Sequence, residues 1–252
     1  MPTLNHSWKE NVYFVLVEPK ESGNIGASAR AIKNMGFTNL TLINPVPLQD
    51  EAYWMAWASK DILEKAQIFR ELDESLKDKA LIIGTTRRRG AKRGAIIDVK
   101  DGVKRVYEVA QNNKVAILFG REDKGLFNEE VEKCGYLITI PTSLLQPSLN
   151  LAQAVLIVAY ELMRCEELKD FHMNRQFYVS QTELNKLYER LFKLLKKIDY
   201  IPDNPDIEKR IINNFRHFFG RTGLTFWELK LLHGLCTHIE ELIAKCQTNP
   251  KA

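Results

Sequence analysis

Four short stretches place polar side chains beside glycine or proline in spacings that could hold a ligand. The first is EPKESGNIGASARAIKNMG, Glu18 to Gly36, with Asn24, Gly26 and Arg30 following an apolar run. It looks like a phosphate cradle, yet both G-x-x-x-x-G-K-[ST] and a G-x-G-x-x-G at the first strand are absent, which argues against a standard nucleotide loop. Local structure offers an alternative: Asn24 as a helix N-cap, and Arg30 as a solvated cation opposite a buried stripe of Ile25, Ala29, Ile32 and Met35. The second stretch, ILFGREDKGLFNEE, sets Gly120, Glu122 and Gly125 after an apolar run. Glycines there either admit a ligand close to the backbone or simply make a turn with a solvated carboxylate. In the third, ITIPTSLLQPSLNLAQAV, Pro141 and Pro147 bracket a loop, and Ser148 or Asn150 starts an apolar helix. Free N–H groups at such a helix start can hold an anion or the polar end of a cofactor, and ordinary capping by Ser148 is the competing role.

The fourth stretch, GTTRRRGAKRG, packs Arg87, Arg88, Arg89, Lys92 and Arg93 into seven residues. A charge run is commonly a solvated face, but this one has a single aliphatic side chain among its cations and favours phosphate contact. RNA or DNA is the expected partner, with small phosphorylated ligands as the alternative.

Elements that could position these loops follow from hydrophobic patterning. Val12–Val17, Leu40–Ile43, Ala80–Thr85, Val115–Phe119 and Tyr136–Ile140 read as strands buried on both faces. Helical patterns at Ile25–Met35, Glu51–Phe69, Gly102–Gln111 and Asn128–Cys134 alternate with them. That alternation predicts an α/β fold, a parallel sheet with helices on both faces. The stretches with Gly120, Ile140 and Arg87 then all follow strand C-termini, where open α/β sheets bind ligands. Leu151–Met163 is apolar around most of its circumference, so something beyond the sheet must cover it. We expect a partner subunit in preference to a second helix of the same chain. Beyond about residue 165 the strands stop. Capping boxes at Ser180–Glu183 and Thr225–Glu228 open two amphipathic helices, with a third over Asp206–Phe219 ended by Gly220. The organisation predicted is residues 1–165 as the main domain, 166–178 as a linker and 179–252 as a helical extension.

Bulk properties narrow the class. The 252 residues can bury a sizeable core, and a net charge of +4 does not by itself announce a nucleic-acid partner. Cys134, Cys165, Cys236 and Cys246 form no C-x-x-C pair, and the five histidines show no ligand spacing, so no metal site is expected. MPTLNHSWKE has no apolar signal region, and the longest apolar run, Ala154–Tyr160, is too short to span a bilayer. A reduced, soluble, cytoplasmic protein is expected.

Taken in order, three motifs are similar to those of one known family. They are N-x-G-x-x-A-R at Asn24 to Arg30, F-G-x-E-x-x-G-L at Phe119 to Leu126, and I-P followed by S-L-N at Ile140, Pro141 and Ser148 to Asn150. Together they resemble the SPOUT class of RNA 2′-O-ribose methyltransferases, the TrmH-like group, over about residues 10–165. GTTRRRG is similar to the family's G-T-S-A-R segment, with Thr86 and Arg87 in place of the usual Ser-Ala, and Ala152 stands where a serine often follows S-L-N. Within the group, the helical extension fits the members that methylate the ribose at nucleotide 32 of the tRNA anticodon loop.

The resemblance implies a C-terminal trefoil knot in the sheet, bent S-adenosyl-L-methionine as cofactor, and a homodimer with active sites at the subunit interface. It also implies Arg30 as the central catalytic residue, with Asn24, Glu122, Ser148 and Asn150 around it. Thr85, Thr86, Arg87, Gly120, Arg121, Ile140, Ser148, Leu149 and Asn150 would surround the cofactor, largely through backbone. Arg30, Arg87, Arg88, Arg89, Lys92 and Arg93 would meet the tRNA. Competing readings are an rRNA methyltransferase of the same class, a non-catalytic RNA-binding protein, and a small-molecule α/β enzyme that would need no cationic run.

Overall fold

The run VYFVLV forms the central strand β1 (Val12–Val17), in which every residue except Tyr13 is buried. A strand with no solvated face needs partners on both edges and cover on both sides. In the computed structural model, which describes residues 8–88, 95–167 and 176–248, it has all of these. The other strands are β2 (Asn39–Ile43), β3 (Gln67–Phe69), β4 (Leu81–Thr85), β5 (Ile96–Asp98), β6 (Val115–Phe119) and β7 (Tyr136–Thr139). They form one sheet in the order β3-β2-β1-β6-β4-β7-β5. Every pairing is parallel, so all strand C-termini emerge at one edge.

Alternation along the strands divides the core in two. On one face Phe14, Leu16, Ile117 and Phe119 pack under α1 (Ser22–Asn34), α2 (Asp50–Ala56), α3 (Lys60–Glu64), α5 (Val99–Ala110) and α7 (Leu151–Arg164). On the other, Val15, Val17, Ala116 and Leu118 pack under α4 (Leu72–Leu76) and α6 (Asn128–Val131). At about 1.5–3 kcal/mol for each large side chain fully buried, these two layers carry most of the drive to fold.

Several expected elements differ. α1 begins at Ser22, and Asn24 lies inside its first turn instead of capping it. The single helix expected over Glu51–Phe69 is divided into α2, a 3-10 turn at Trp57–Ser59, α3 and the edge strand β3. Trp57 breaks it at φ 50°, and Gln67–Phe69 answer the open edge of β2. β5 and α4 were not anticipated. α5 starts three residues before the expected Gly102, because Asp98 caps it by accepting from the Lys100 N–H at 2.9 Å. α6 is only one turn.

Beyond the sheet, α8 (Gln181–Lys197), α9 (Pro205–Thr222) and α10 (Phe226–Thr248) enclose a third cluster around Leu184, Leu187, Tyr188 and Phe219. Both expected capping boxes form, at Ser180–Glu183 and Thr225–Glu228. α9 runs past the expected stop at Gly220 and ends before Gly223, whose φ of 68° suits glycine. Gly220 is needed elsewhere. It crosses Gly135 so closely that a Cβ on Gly135 would stand 2.1 Å from the Gly220 carbonyl oxygen. Backbone bonds from Gln181 to Lys79 and from Thr182 to Lys77, with the Lys209–Glu132 ion pair, complete the docking. Most of the predicted linker lies outside the described residues. No helix among the described residues is long and apolar enough to cross a membrane.

Candidate active site

Parallel pairing puts the loops after β1, β4, β6 and β7 side by side at one sheet edge, and a cleft opens between three of them. It holds a cavity of about 130 Å³ that opens to solvent. Thr85, Thr86, Arg87 and Arg88 line it from β4, and Gly120, Arg121, Glu122 and Leu126 from β6. Ile138, Ile140, Ser148 and Leu149 line it from β7 and the loop that follows. Leu126 and Ile138 form a buried apolar floor, while Ser148, Arg87 and Arg88 occupy an open rim.

Two local devices shape the walls. The loop after β6 folds back on itself: the Gly125 N–H donates to the Arg121 carbonyl at 2.8 Å, and Gly125 has φ 64°. A Cβ on Gly120 would stand 2.1 Å from the Gly125 carbonyl carbon, so only glycine fits that fold. At the end of β4, the Thr85 hydroxyl donates to the Leu118 carbonyl at 3.0 Å and the Thr86 N–H to the Ile138 carbonyl at 2.9 Å. These bonds wedge the segment between β6 and β7.

Beside the cleft, residues far apart in sequence meet in one polar network. Asn24, only 8% exposed, donates through Nδ2 to Glu122 Oε1 at 3.0 Å and Glu21 Oε2 at 2.8 Å. Its Oδ1 accepts from Asn150 Nδ2 at 2.8 Å. Glu122 also accepts from the backbone N–H groups of Lys20 at 3.0 Å and Glu21 at 3.3 Å. The carboxylate thus sits at the positive end of α1, a favourable place for an anion, and does there what no capping side chain does. Asn150 is the N-cap of α7, its Oδ1 accepting from Ala152 N–H at 2.9 Å and Gln153 N–H at 3.4 Å. Capping therefore falls to Asn150 and not to Ser148.

Arg121 behaves differently from the other cleft arginines. Its side chain is 4% exposed and turned into the protein, with Nε donating to Glu18 at 2.9 Å and Nη1 and Nη2 gripping Glu130 at 3.1 and 2.9 Å. Its guanidinium lies over the Phe127 ring, 3.9 Å from the centroid. Burial by itself would depress this group; hydrogen bonds to Glu130 and then Glu18 outweigh that and hold it above its ordinary range. What Arg121 offers the cleft is therefore backbone, as the resemblance implied for much of this contact. Neither Glu18 nor Glu130 was singled out from sequence, and nothing local marks them, since both matter through a residue in another loop.

Of the residues expected to act together, Thr85, Thr86, Arg87, Gly120, Arg121, Glu122, Ile140, Ser148 and Leu149 line the cleft. Asn24 and Asn150 join it through the network, and Arg88 is on its rim. Arg30 is not in the lining: it lies on the exposed face of α1, and among the described residues nothing hydrogen-bonds or ion-pairs with its guanidinium. Arg89, Lys92 and Arg93 lie outside the described residues. α7 packs on α1 and α5, which answers part of the expected covering, yet Leu156 and Tyr160 remain 39% and 44% exposed.

Comparison with known proteins adds four relationships. The model of the SpoU rRNA Methylase family matches residues 11–160. The tRNA (cytidine/uridine-2′-O-)-methyltransferase TrmJ of Salmonella choleraesuis strain SC-B67 is 36% identical over 239 residues, 92% of this chain and 97% of the relative. The crystal structure of TrmJ from Z. mobilis ZM4 superposes with a TM-score of 0.75 at 29% identity, covering 90% of this chain and 98% of that one. In fold alone, the SpoU methyltransferase AviRb from Streptomyces viridochromogenes, solved in complex with AdoMet, is also similar, with a TM-score of 0.51 at 22% identity over 63% of this chain and 62% of that one.

Proposed function

This chain belongs to the SpoU rRNA Methylase family, and from that membership we propose that it methylates the 2′-hydroxyl of cytidine or uridine at nucleotide 32 of tRNA. The observation that carries the reading is convergence. The loops after β4, β6 and β7 build one cleft, and the first motif joins them in the network beside it, Asn24 bonding Glu122 and Asn150 from 98 and 126 positions away. The relatives named TrmJ support tRNA over rRNA as substrate, and nucleotide 32 comes from the family resemblance.

The cleft suits S-adenosyl-L-methionine. The apolar floor of Leu126, Ile138 and Ile140 can take a purine, and the glycine at position 120 lets the loop after β6 fold back tightly enough to form the wall beside it. Thr85, Thr86, Arg87, Arg121, Ser148 and Leu149 would complete the surround, and Asn150 would hold the start of α7 in place. When bound, the cofactor supplies a methyl group on a positive sulfur, already a strong electrophile.

What remains for the protein is to place a ribose hydroxyl in line and to stabilise charge as its proton leaves. Arg30 is unsuited to taking that proton, because a guanidinium carries only donors and no acceptor. Gripping the adjacent phosphate and lowering the cost of the alkoxide fits its chemistry. Since Arg30 does not line the cleft of its own chain, the arrangement we infer is a homodimer in which α1 of a second copy presents its arginine. The surface offered is apolar: Trp54, Trp57 and Met55 on one side of α1 and Leu156 and Tyr160 on the other are exposed. Asn24, Glu122 and Asn150 would hold the helix starts around the reacting ribose. The exposed Arg87 and Arg88, with Arg89, Lys92 and Arg93, would take RNA phosphates.

The test is methyl transfer from labelled S-adenosylmethionine to unmodified tRNA, followed by mapping of the modified nucleotide. Label in the 2′-O-methyl group of nucleotide 32 is expected. Cofactor binding without transfer to any RNA would overturn the reading in favour of a non-catalytic binder.

A further inference from the structure

Arg121 commits every arm of its guanidinium to the protein interior, although it sits between two residues, Gly120 and Glu122, that line the cleft. We propose that Glu18, Arg121 and Glu130 form a positioning clamp that sets the shape of the cofactor wall and registers it against the start of α1. The proposal rests on the reading of the cleft as the S-adenosylmethionine site.

The geometry supports a positioning role in three ways. First, the clamp joins separate elements: Glu18 follows β1 with φ 46°, Arg121 opens the loop after β6, and Glu130 lies in α6. Backbone at positive φ is unfavourable for a side chain as large as glutamate and persists only where surrounding contacts hold it. Here the Glu18 N–H donates to the Ile43 carbonyl at 2.9 Å while its carboxylate accepts from Arg121 Nε at 2.9 Å. Second, the pair with Glu130 is bidentate and protected, with side-chain exposures of 4% for Arg121 and 12% for Glu130, so geometry and not just charge is specified. Third, two more ties lock the same pair of loops: Lys20 bonds Asp123 at 2.7 Å, and Glu122 holds the Lys20 and Glu21 N–H groups. The loop after β6 cannot shift without disturbing the helix that carries Asn24 and Arg30.

Glutamine substitutions separate positioning from general support. Glu130→Gln keeps the size and leaves an acceptor for the Phe127 N–H, which Glu130 Oε2 holds at 2.7 Å, but removes the charge opposite a buried guanidinium. Glu18→Gln does the same at a site whose side chain is 44% exposed, so folding should tolerate it. Calorimetric titration with S-adenosylmethionine and steady-state methyl transfer to tRNA would be measured on wild type and both variants. The expected result is a rise of about tenfold or more in Kd and KM for the cofactor in Glu130→Gln and about threefold or more in Glu18→Gln, with kcat at saturating cofactor within about threefold. A role limited to stability would instead lower Tm and the active fraction, reducing apparent kcat while leaving KM unchanged, and that pattern would overturn the clamp. So would wild-type Kd and KM in both folded variants. If Glu130→Gln does not fold, Glu18→Gln decides alone. Wild-type protein that fails to bind S-adenosylmethionine refutes the underlying site, and the clamp's purpose with it.

Discussion

In the proposed reaction Arg30 is the residue that meets the charge, and among the described residues nothing holds its side chain. Arg30→Ala should lower kcat by about 10²-fold or more, the scale of losing one charge-stabilising donor. Calorimetric affinity for S-adenosylmethionine should stay within about threefold, as Arg30 does not line the cofactor cleft. Arg30→Lys should remain strongly impaired, since an ammonium cannot reproduce a two-pronged grip on phosphate; full activity in that variant would refute the role. Individual residues were unevenly legible. Glu122, Ser148 and Asn150 were visible as motif members. Asn24, read as a possible cap, instead spends its amide on Glu122 and Asn150, which are 98 and 126 positions away. Arg121 was placed by resemblance against the cofactor, but its side chain faces Glu18 and Glu130. Single-sequence reading sees spacing along the chain; these partners exist only after folding.

Among elements, the central strands were legible because burial on both faces demands unbroken apolar runs, as in Val12–Val17 and Val115–Phe119. The edge strands escaped for the opposite reason: Gln67–Phe69 and Ile96–Asp98 are three residues long and only partly covered, so their polarity is mixed. Gly26 shows how tightly helices are matched on this sheet. A Cβ there would stand 2.0 Å from the Ala52 carbonyl oxygen. Gly26→Ala would gain about 1 kcal/mol in helix propensity, but pushing α2 aside costs about 1–3 kcal/mol. The clash should win, lowering Tm by a few degrees in thermal unfolding. Activity should fall further than stability, because α1 carries Arg30.

For the whole molecule, static light scattering at micromolar concentration should return twice the 29.1 kDa chain mass. Replacing Leu156 and Tyr160 together by polar residues should shift that mass towards the monomer and remove methyl transfer while cofactor binding persists. Binding to tRNA should be strongly salt-dependent. If the five cations from Arg87 to Arg93 each neutralise one phosphate, the log–log slope against salt should be roughly −3 to −4, and a flat response would remove that assignment. Composition conceals the basic stretch itself, since a net charge of +4 averages it over the chain.

The crossing of Gly135 with Gly220 leaves no room for even a methyl group between the two backbones. The terminal helices are thereby fastened to the catalytic sheet as a fixed outrigger and not a swinging arm. An RNA gripped by both would be measured as if by a caliper, its handle and its target required to lie a set distance apart. Selectivity could then be rewritten by lengthening the RNA stem between them, with every base at the reaction centre left unchanged.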